Sequence, residues 1–417
     1  MIHIKVFREN PEIIIESLEK RHDKEKIKWV HQIIEWDQQI RELKQASEKF
    51  KAQRNKVSIE INDKIKQGSD VTFLLEEAKQ IPIKINKLDA KVEELQGKLN
   101  DYQMRIPNIL HESVPFGETD EDNPVVKTWG EPRNDEVKSH SDWIIEKNYA
   151  DLERAAKTSG ARFYFLKGKL VELQNALFRY AFDIVKKNGF ELISPPYLVR
   201  KEVIAGATDL ADFQDVVYKI ENEDLYLIPT SEHVMLGMYG NETLTKLPIQ
   251  MAAYSPSFRK EAGSHGKDTK GIFRVHQFNK LEMFIISEPE QSWEMHEKLL
   301  SVEEEIMQGL GLPYQVVNIC TGDIGIVAAK KYDIEVWMPA SQKYRELMSC
   351  SNCTAYQSVR SNIRYRKDQE KDWVHTLNAT AIVDTRTLVA IIENYIQNDG
   401  LVKVPEALKR YVDFETL

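Results

Sequence analysis

Trp29, Ile33, Trp36, Ile40, Leu43, Ser47, Phe50, Arg54, Val57 and Ile61 follow one another at alternating spacings of four and three. After a short QGSD segment the rhythm returns in Leu74, Ala78, Ile81, Ile85, Leu88, Val92, Leu95, Leu99 and Tyr102. An apolar seam recurring every 3.5 residues keeps one helix face against a partner helix, so two such seams joined by a tight turn specify an antiparallel helical hairpin. At 1.5 Å per residue, about forty helical residues reach roughly 60 Å. Pro82 lies inside the second seam, where it is expected either to kink the helix or to mark its effective start.

The hairpin is mildly basic in an acidic chain. Between Gln38 and Lys66 there are eight Lys and Arg against four Asp and Glu, whereas the 417 residues together carry a net charge of −9. A long, separate, basic arm suits a large polyanion better than a small ligand. The seam residues themselves are read as core, with no chemistry. The three cysteines, Cys320, Cys350 and Cys353, cannot form a disulfide framework, and the Cys-x-x-Cys pair lacks the partners a zinc site needs. No zinc is expected. No run approaches the roughly 18 apolar residues of a membrane span, so no membrane partner is expected and the chain is placed in the cytoplasm.

Residues 1–110 read as one domain, with the coiled-coil arm over about 26–104. The Pro-, Asp- and Glu-rich stretch 111–135 reads as a linker, and 136–417 as a domain of mixed helices and strands. Within the last, KLVELQNALFRYAFDIVKKNG reads as a helix closed by Gly189, and ELISPPYLVR as a strand with two prolines.

In FRKEAGSHGKDTKGIFRVHQFNKLEMF, Phe258 to Phe284, two alternating segments flank a glycine- and lysine-rich loop carrying Lys267 and Lys270. Strand parity puts Arg259 and Glu261 on one face of the first segment. In the second it puts Arg274, Phe278 and Glu282 on one face, and Phe273, Val275, Leu281, Met283 and Ile285 on the other. The loop is not a P-loop: Glu261 stands where the motif needs its first glycine, and Asp268 follows Lys267. No G-x-G-x-x-G follows a strand. A nucleotide would therefore be held by side chains on an antiparallel sheet.

These residues carry a resemblance. The stretch is similar to motif 2 of the class II aminoacyl-tRNA synthetases, in the form found in the seryl-tRNA synthetase family, and the likeness spans nearly the whole chain. KNGFELISPPYLVR resembles motif 1, PTSEH the serine-binding loop, EVWMPASQKYRELMSCSNCTAYQSVR the ATP-proximal strand and turn, and HTLNATAIVDTRTLVAIIENY motif 3, all in family order. The hairpin resembles the family's tRNA-binding arm. The implied fold is α+β: a two-helix coiled-coil arm, then a class II catalytic domain built on an antiparallel β-sheet flanked by helices.

The resemblance implies activation of L-serine by ATP with release of pyrophosphate, then transfer of the seryl group to the 3′ end of tRNA(Ser). Whether tRNA(Sec) is charged as well is left open. Arg259 would hold the α-phosphate and the serine carboxylate, Glu261 would accept from the adenine amino group, and Phe278 would stack on the ring. Arg386 would bind the γ-phosphate, and Glu346 with Ser349 would hold Mg²⁺. Lys260, Arg274, Val275, Leu347 and Met348 complete the implied ATP site. For serine, Thr230 and Glu232 would bind the ammonium, Glu282 and Thr380 the hydroxyl, with Ser231 and Asn378 beside them. Arg259, Glu346 and Arg386 are the implied catalytic residues, and motif 1 implies a homodimer. Two departures stand out: Asn378-Ala379-Thr380 where many members read Asn-Gly-Ser, and Thr385 where a glycine usually precedes the motif 3 arginine. Two other readings are weaker. A carrier-protein ligase on the same fold needs no long arm, and a non-catalytic scaffold would not need Arg259, Glu346 and Arg386 together.

Overall fold

A computed structural model describes residues 1–208, 216–261, 270–367 and 370–417. It divides into two compact units, Met1–Ile109 and Leu110–Leu417. No helix among the described residues is long and apolar enough to cross a membrane.

The first unit is helical: α1 (Ile4–Glu9), α2 (Pro11–Lys20), α3 (Lys24–Lys66) and α4 (Thr72–Arg105). Asp23 caps α3 by accepting from the Lys26 amide at 3.1 Å. The turn is made by Gly68, whose φ of +68° favours a residue without Cβ, and by Asp70, which accepts from the Thr72 amide at 2.9 Å. The seam is packed as its spacing requires: Ile33, Ile40, Val57, Leu74, Ile81, Ile85, Leu95 and Leu99 are buried. Each such side chain contributes about 1.5–3 kcal/mol. At the open end Tyr102 meets the rings of Trp29 and Trp36 at 4.7 and 5.1 Å. Midway, Ser47 donates to Asp89 at 2.7 Å. Arg54, at a seam position, is exposed instead. Pro82 does not start the second helix, which begins at Thr72 and runs through it. Asp37, off the seam, is buried between Arg8 (2.6 and 2.8 Å) and Arg41 (3.0 Å). Burial would raise its pKa, but these hydrogen bonds outweigh that and hold it low.

The second unit is built on an eight-stranded sheet among the described residues. In chain order its strands are β1 (Val125–Trp129), β2 (Glu191–Ile193), β3 (Ile249–Phe258), β4 (Gln277–Ser287), β5 (Tyr314–Asn318), β6 (Lys330–Met338), β7 (Lys343–Asn352) and β8 (His375–Val383). Their order in the sheet is β1-β5-β6-β7-β8-β4-β3-β2, antiparallel throughout except for the parallel β2–β3 pair at one edge. On one face pack α5 (Lys169–Lys187), α7 (Ser292–Gly309) and α8 (Asp384–Tyr395), enclosing the main core with Leu281, Met283 and Ile285 of β4. The opposite face carries α6 (Ser231–Met238) over a smaller core containing Phe284 and Ile286.

Two expectations are corrected here. Residues 111–135 do not form a free linker: His111 bonds the Ala329 carbonyl at 2.9 Å, Val114 is buried, and 125–129 supply edge strand β1. The Pro- and acid-rich composition hid a Val-Val edge strand. ELISPPYLVR is not one strand, because Pro195 and Pro196 separate β2 from a second short strand, Leu198–Arg200, that pairs elsewhere. The α5 helix does end as expected, with Gly189 at φ +87° and its amide bonded to the Lys186 carbonyl.

Candidate active site

β3 ends at Phe258 and β4 starts at Gln277, so Arg259, Glu261 and Arg274 leave the ladder rather than alternate within it. Arg259 remains pinned, because its amide donates to the His276 carbonyl and His276 Nδ1 lies 2.9 Å from the Arg259 carbonyl. Glu261 takes a left-handed backbone (φ +51°), and Arg274 Nε reaches its carboxylate at 3.3 Å. This bend overturns part of the parity reading. Phe273 and Val275, expected on the core face, line the same cleft as Arg274, although Phe273 also packs against the main core and Val275 is buried. Parity holds inside β4: Phe278, Lys280 and Glu282 face the cleft side, and Leu281 and Met283 the core. Lys267 lies outside the described residues.

The cleft holds about 200 Å³ and brings together Arg259, Glu261, Phe273, Arg274, Val275, Phe278, Lys280, Glu346, Leu347, Ser349, Thr380 and Arg386. Two β-bulges make this possible. On β7, Glu335 pairs with Glu346 but Ile334 pairs with Met348, so Leu347 is the extra residue. In a regular strand residues three apart point to opposite faces; the bulge turns Glu346 and Ser349 to the same one. On β8 the ladder skips Ala381, and Thr380 and Val383 then share the cleft while Ala381 and Ile382 enter the core.

Charge is dense here. The Arg259 guanidinium sits 5.2 Å from the Phe278 ring and donates to the Pro229 carbonyl at 3.2 Å. Burial, and then the Arg386 charge, lower its pKa. Arg386, in the first turn of α8, donates to the Glu346 carbonyl at 2.8 Å and approaches its carboxylate at 3.5 Å. Partial desolvation in the cleft would raise Glu346, but Arg386, then Lys331 and Arg259, hold its pKa below the ordinary value. Arg386 does not pair with the preceding Asp384. That carboxylate accepts from Asn279 (3.0 and 2.8 Å), Gln174 (2.6 Å) and the Thr385 amide (2.7 Å), and burial pushes it up to about 6.

Beside the cleft lies a second acidic group. Glu282, 2% exposed, pairs with Lys280 at 2.6 Å and accepts from Thr380 at 3.4 Å. Glu232, in the first turn of α6 behind its cap Thr230, accepts from Gln357 at 2.6 Å; burial, then the Glu282 charge, push it up to about 7. Four expected residues sit otherwise. Ser231 is fully buried with its hydroxyl on the Ala253 carbonyl, and Asn378 donates to Cys353 Sγ. Met348 packs into the main core, and Lys260 is exposed with its ammonium 6.0 Å from the Tyr218 ring. Sequence reasoning missed Lys280, although it shares the parity of Phe278 and Glu282. Gln357 had no periodic signal at all. The cysteines are free and buried, and His233 is buried with its pKa lowered to about 3.

A family model described as the tRNA synthetase class II core domain (G, H, P, S and T) matches residues 216–395, and one described as the seryl-tRNA synthetase N-terminal domain matches 1–110. The serine–tRNA ligase of Methanocella arvoryzae is 50% identical, with 99% of each chain covered. The crystal structure of seryl-tRNA synthetase from Pyrococcus horikoshii complexed with ATP superposes with a TM-score of 0.94 at 46% identity, covering 100% of this chain and 99% of that one. The cytoplasmic serine–tRNA ligase of Naegleria fowleri in complex with AMP gives 0.88 at 35% identity, covering 100% and 98%. The chain therefore belongs to the seryl-tRNA synthetase family of class II aminoacyl-tRNA synthetases.

Proposed function

We propose that the chain joins L-serine to ATP in the cleft between β3, β4, β7 and β8, releasing pyrophosphate, and then passes the seryl group to the 3′ end of tRNA(Ser). The single observation that carries this reading is the grouping of Arg259, Arg274 and Arg386 with Glu261, Glu346 and Phe278 around one small cavity. Attack of a carboxylate on a phosphorus needs two anions brought together in line, and fixed cations compensate the charge at no reorganisation cost. Arg259 bridges the serine carboxylate and the α-phosphate, a task suited to a planar, permanently charged fork. Phe278 stacks on adenine, Glu261 accepts from its amino group, and Arg386 holds the γ-phosphate. Thr230 and Glu232 take the serine ammonium; Glu282 and Thr380 take the hydroxyl.

The donor set at Glu346 and Ser349 fits Mg²⁺. A half-exposed carboxylate and a hydroxyl turned to one face offer oxygen ligands and leave positions for phosphate and water. When bound, the ion supplies charge compensation on the phosphates. The exposed Lys44, Lys49, Arg54, Lys56 and Lys66 of α3 supply the tRNA-facing charge of the arm. Edge strand β2, with Leu192 (41%), Tyr197 (42%) and Leu198 (41%) exposed nearby, supplies a homodimer interface. The reading is tested by ATP–pyrophosphate exchange over a panel of amino acids, followed by aminoacylation of tRNA. Exchange driven by serine and transfer to tRNA(Ser) are expected; exchange driven better by threonine or alanine, or by no amino acid, refutes it.

A further inference from the structure

Gln357 stands on the short helix Tyr356–Ser361, outside the cleft lining and fully buried. Its amide has one possible orientation. The nitrogen lies 3.2 Å from the Ala207 carbonyl, which can only accept, so that end is the NH₂. The same nitrogen donates to Glu232 Oε1 at 2.6 Å. The amide oxygen accepts from the Thr376 hydroxyl at 2.7 Å, and Thr376 is itself fully buried on β8. The chain Thr376–Gln357–Glu232 thus runs from the floor of the sheet to the first turn of α6 and is saturated up to one oxygen of the carboxylate.

We propose that Gln357, anchored by Thr376, is a positioning residue for the amino acid: it fixes Glu232 Oε1, so that the other oxygen receives the substrate's ammonium group. The proposal rests on the assignment of Glu232 to the serine ammonium under the function proposed above.

The surroundings make such a device necessary. Burial and the Glu282 charge oppose ionisation of Glu232, while Gln357, Lys280 and Arg259 favour it. Cys353 also faces the group, and Glu232 helps burial to raise that thiol's pKa. His233, the next residue, stays neutral under burial and the charges of Lys280 and Arg259. Lys280 is already committed to Glu282 at 2.6 Å, and Arg259 to the cleft. Gln357 is the neutral donor that can hold one oxygen without competing with the ligand for charge. Removing it takes away a hydrogen bond that favours the charged form, and a neutral acid binds an ammonium ion poorly.

The test compares Gln357→Met, Thr376→Val and Thr376→Ser with the full-length wild type in ATP–pyrophosphate exchange from pH 6 to 9, with thermal melts alongside. Loss of one charge-assisted hydrogen bond predicts a serine KM raised about tenfold or more, with the ATP KM within roughly twofold. The pH midpoint of the serine KM should move to higher pH in Gln357→Met and Thr376→Val, and Thr376→Ser should restore both. If Gln357→Met does not fold, the Thr376 pair decides. Serine and ATP KM values that rise together, or an unmoved pH midpoint, mean a structural role only and overturn the proposal. A wild type with no serine-dependent exchange overturns instead the function on which it rests, and the proposal falls with it.

Discussion

Replacing Arg386 by alanine separates catalysis from folding, because the same side chain is worth different amounts to each. In the free protein its guanidinium makes one hydrogen bond to the Glu346 carbonyl, a 3.5 Å approach to a carboxylate that is 46% exposed, and a cation–π contact of 5.3 Å with Phe273. An ion pair on such a rim is worth under about 1 kcal/mol, and the ring contact about 0.5–1 kcal/mol. The hydrogen bond adds about 0.5–1.5 kcal/mol, and loss of all three should lower the melting temperature by only a few degrees. As a clamp on charge moving toward the leaving pyrophosphate, one such donor is worth about 2.7–4 kcal/mol, or ~10²–10³ in rate. Serine-dependent ATP–pyrophosphate exchange at saturating substrates should therefore fall by at least ~10²-fold while circular dichroism and the melt stay near wild type. Arg386→Lys keeps the charge but not the fork and should recover only part of the loss. Exchange within a few-fold of wild type for Arg386→Ala would refute the placement of the γ-phosphate at α8.

Four further outcomes follow from other parts of the molecule. Glu232, pushed up to about 7 in the free site, keeps its proton below that pH, so the wild-type serine KM should fall as pH rises from 6 to 8, and Glu232→Gln should flatten the curve. A serine KM independent of pH in the wild type contradicts this. Replacing residues 48–88 by a short Gly-Ser turn keeps the Ser47–Asp89 bond and the Trp29–Trp36–Tyr102 cluster, so exchange should survive while tRNA serylation is lost; equal loss of both counts against an arm dedicated to tRNA. Asp384 is surrounded only by donors, so Asp384→Asn turns an NH₂ against them and should lower the melting temperature, at a cost of about 1–3 kcal/mol per unsatisfied group; an unchanged melt contradicts the hydrogen-bond assignment. Light scattering should give twice the monomer mass, and Leu192→Asp should shift it toward one; a wild-type monomer removes the dimer.

Much of this was legible wherever one period ran uninterrupted. The arm was written in its heptads, since a 4–3 rhythm maintained over nine steps has one cheap structural solution, and even its polar member Ser47 bonds across to Asp89, the residue after seam position Leu88. Arg54 shows the limit: the rhythm names the position, but the long charged side chain lets the head leave for water. Parity worked inside β4, where Leu281 and Met283 entered the core opposite Phe278 and Glu282. It did not separate Phe273 and Val275 from Arg274, because alternation persists on paper after the backbone has left the ladder. Composition failed at 111–135 for a similar reason: a strand that needs only one neighbour tolerates prolines and acids at its ends.

The bulges explain why the site itself resists reading by period. Glu346 and Ser349 are three apart on β7, as Thr380 and Val383 are on β8, and an uninterrupted strand would send each pair to opposite faces. One extra residue in each strand, Leu347 and Ala381, is spent in the core, and what it changes is direction rather than length. The departure Asn378-Ala379-Thr380 lies immediately before the second bulge. Ala379 is fully buried against the main core while Thr380 turns toward Glu282. The alanine methyl is thus absorbed by the core, and the threonine methyl enters beside Glu282, where the proposed site for the serine hydroxyl lies. At the proposed site, exclusion of a bulkier substrate is then a matter of volume at Thr380 and at the buried Lys280–Glu282 pair, while acceptance of serine over alanine would rest on buried polar groups that a substrate without a hydroxyl leaves unpaired.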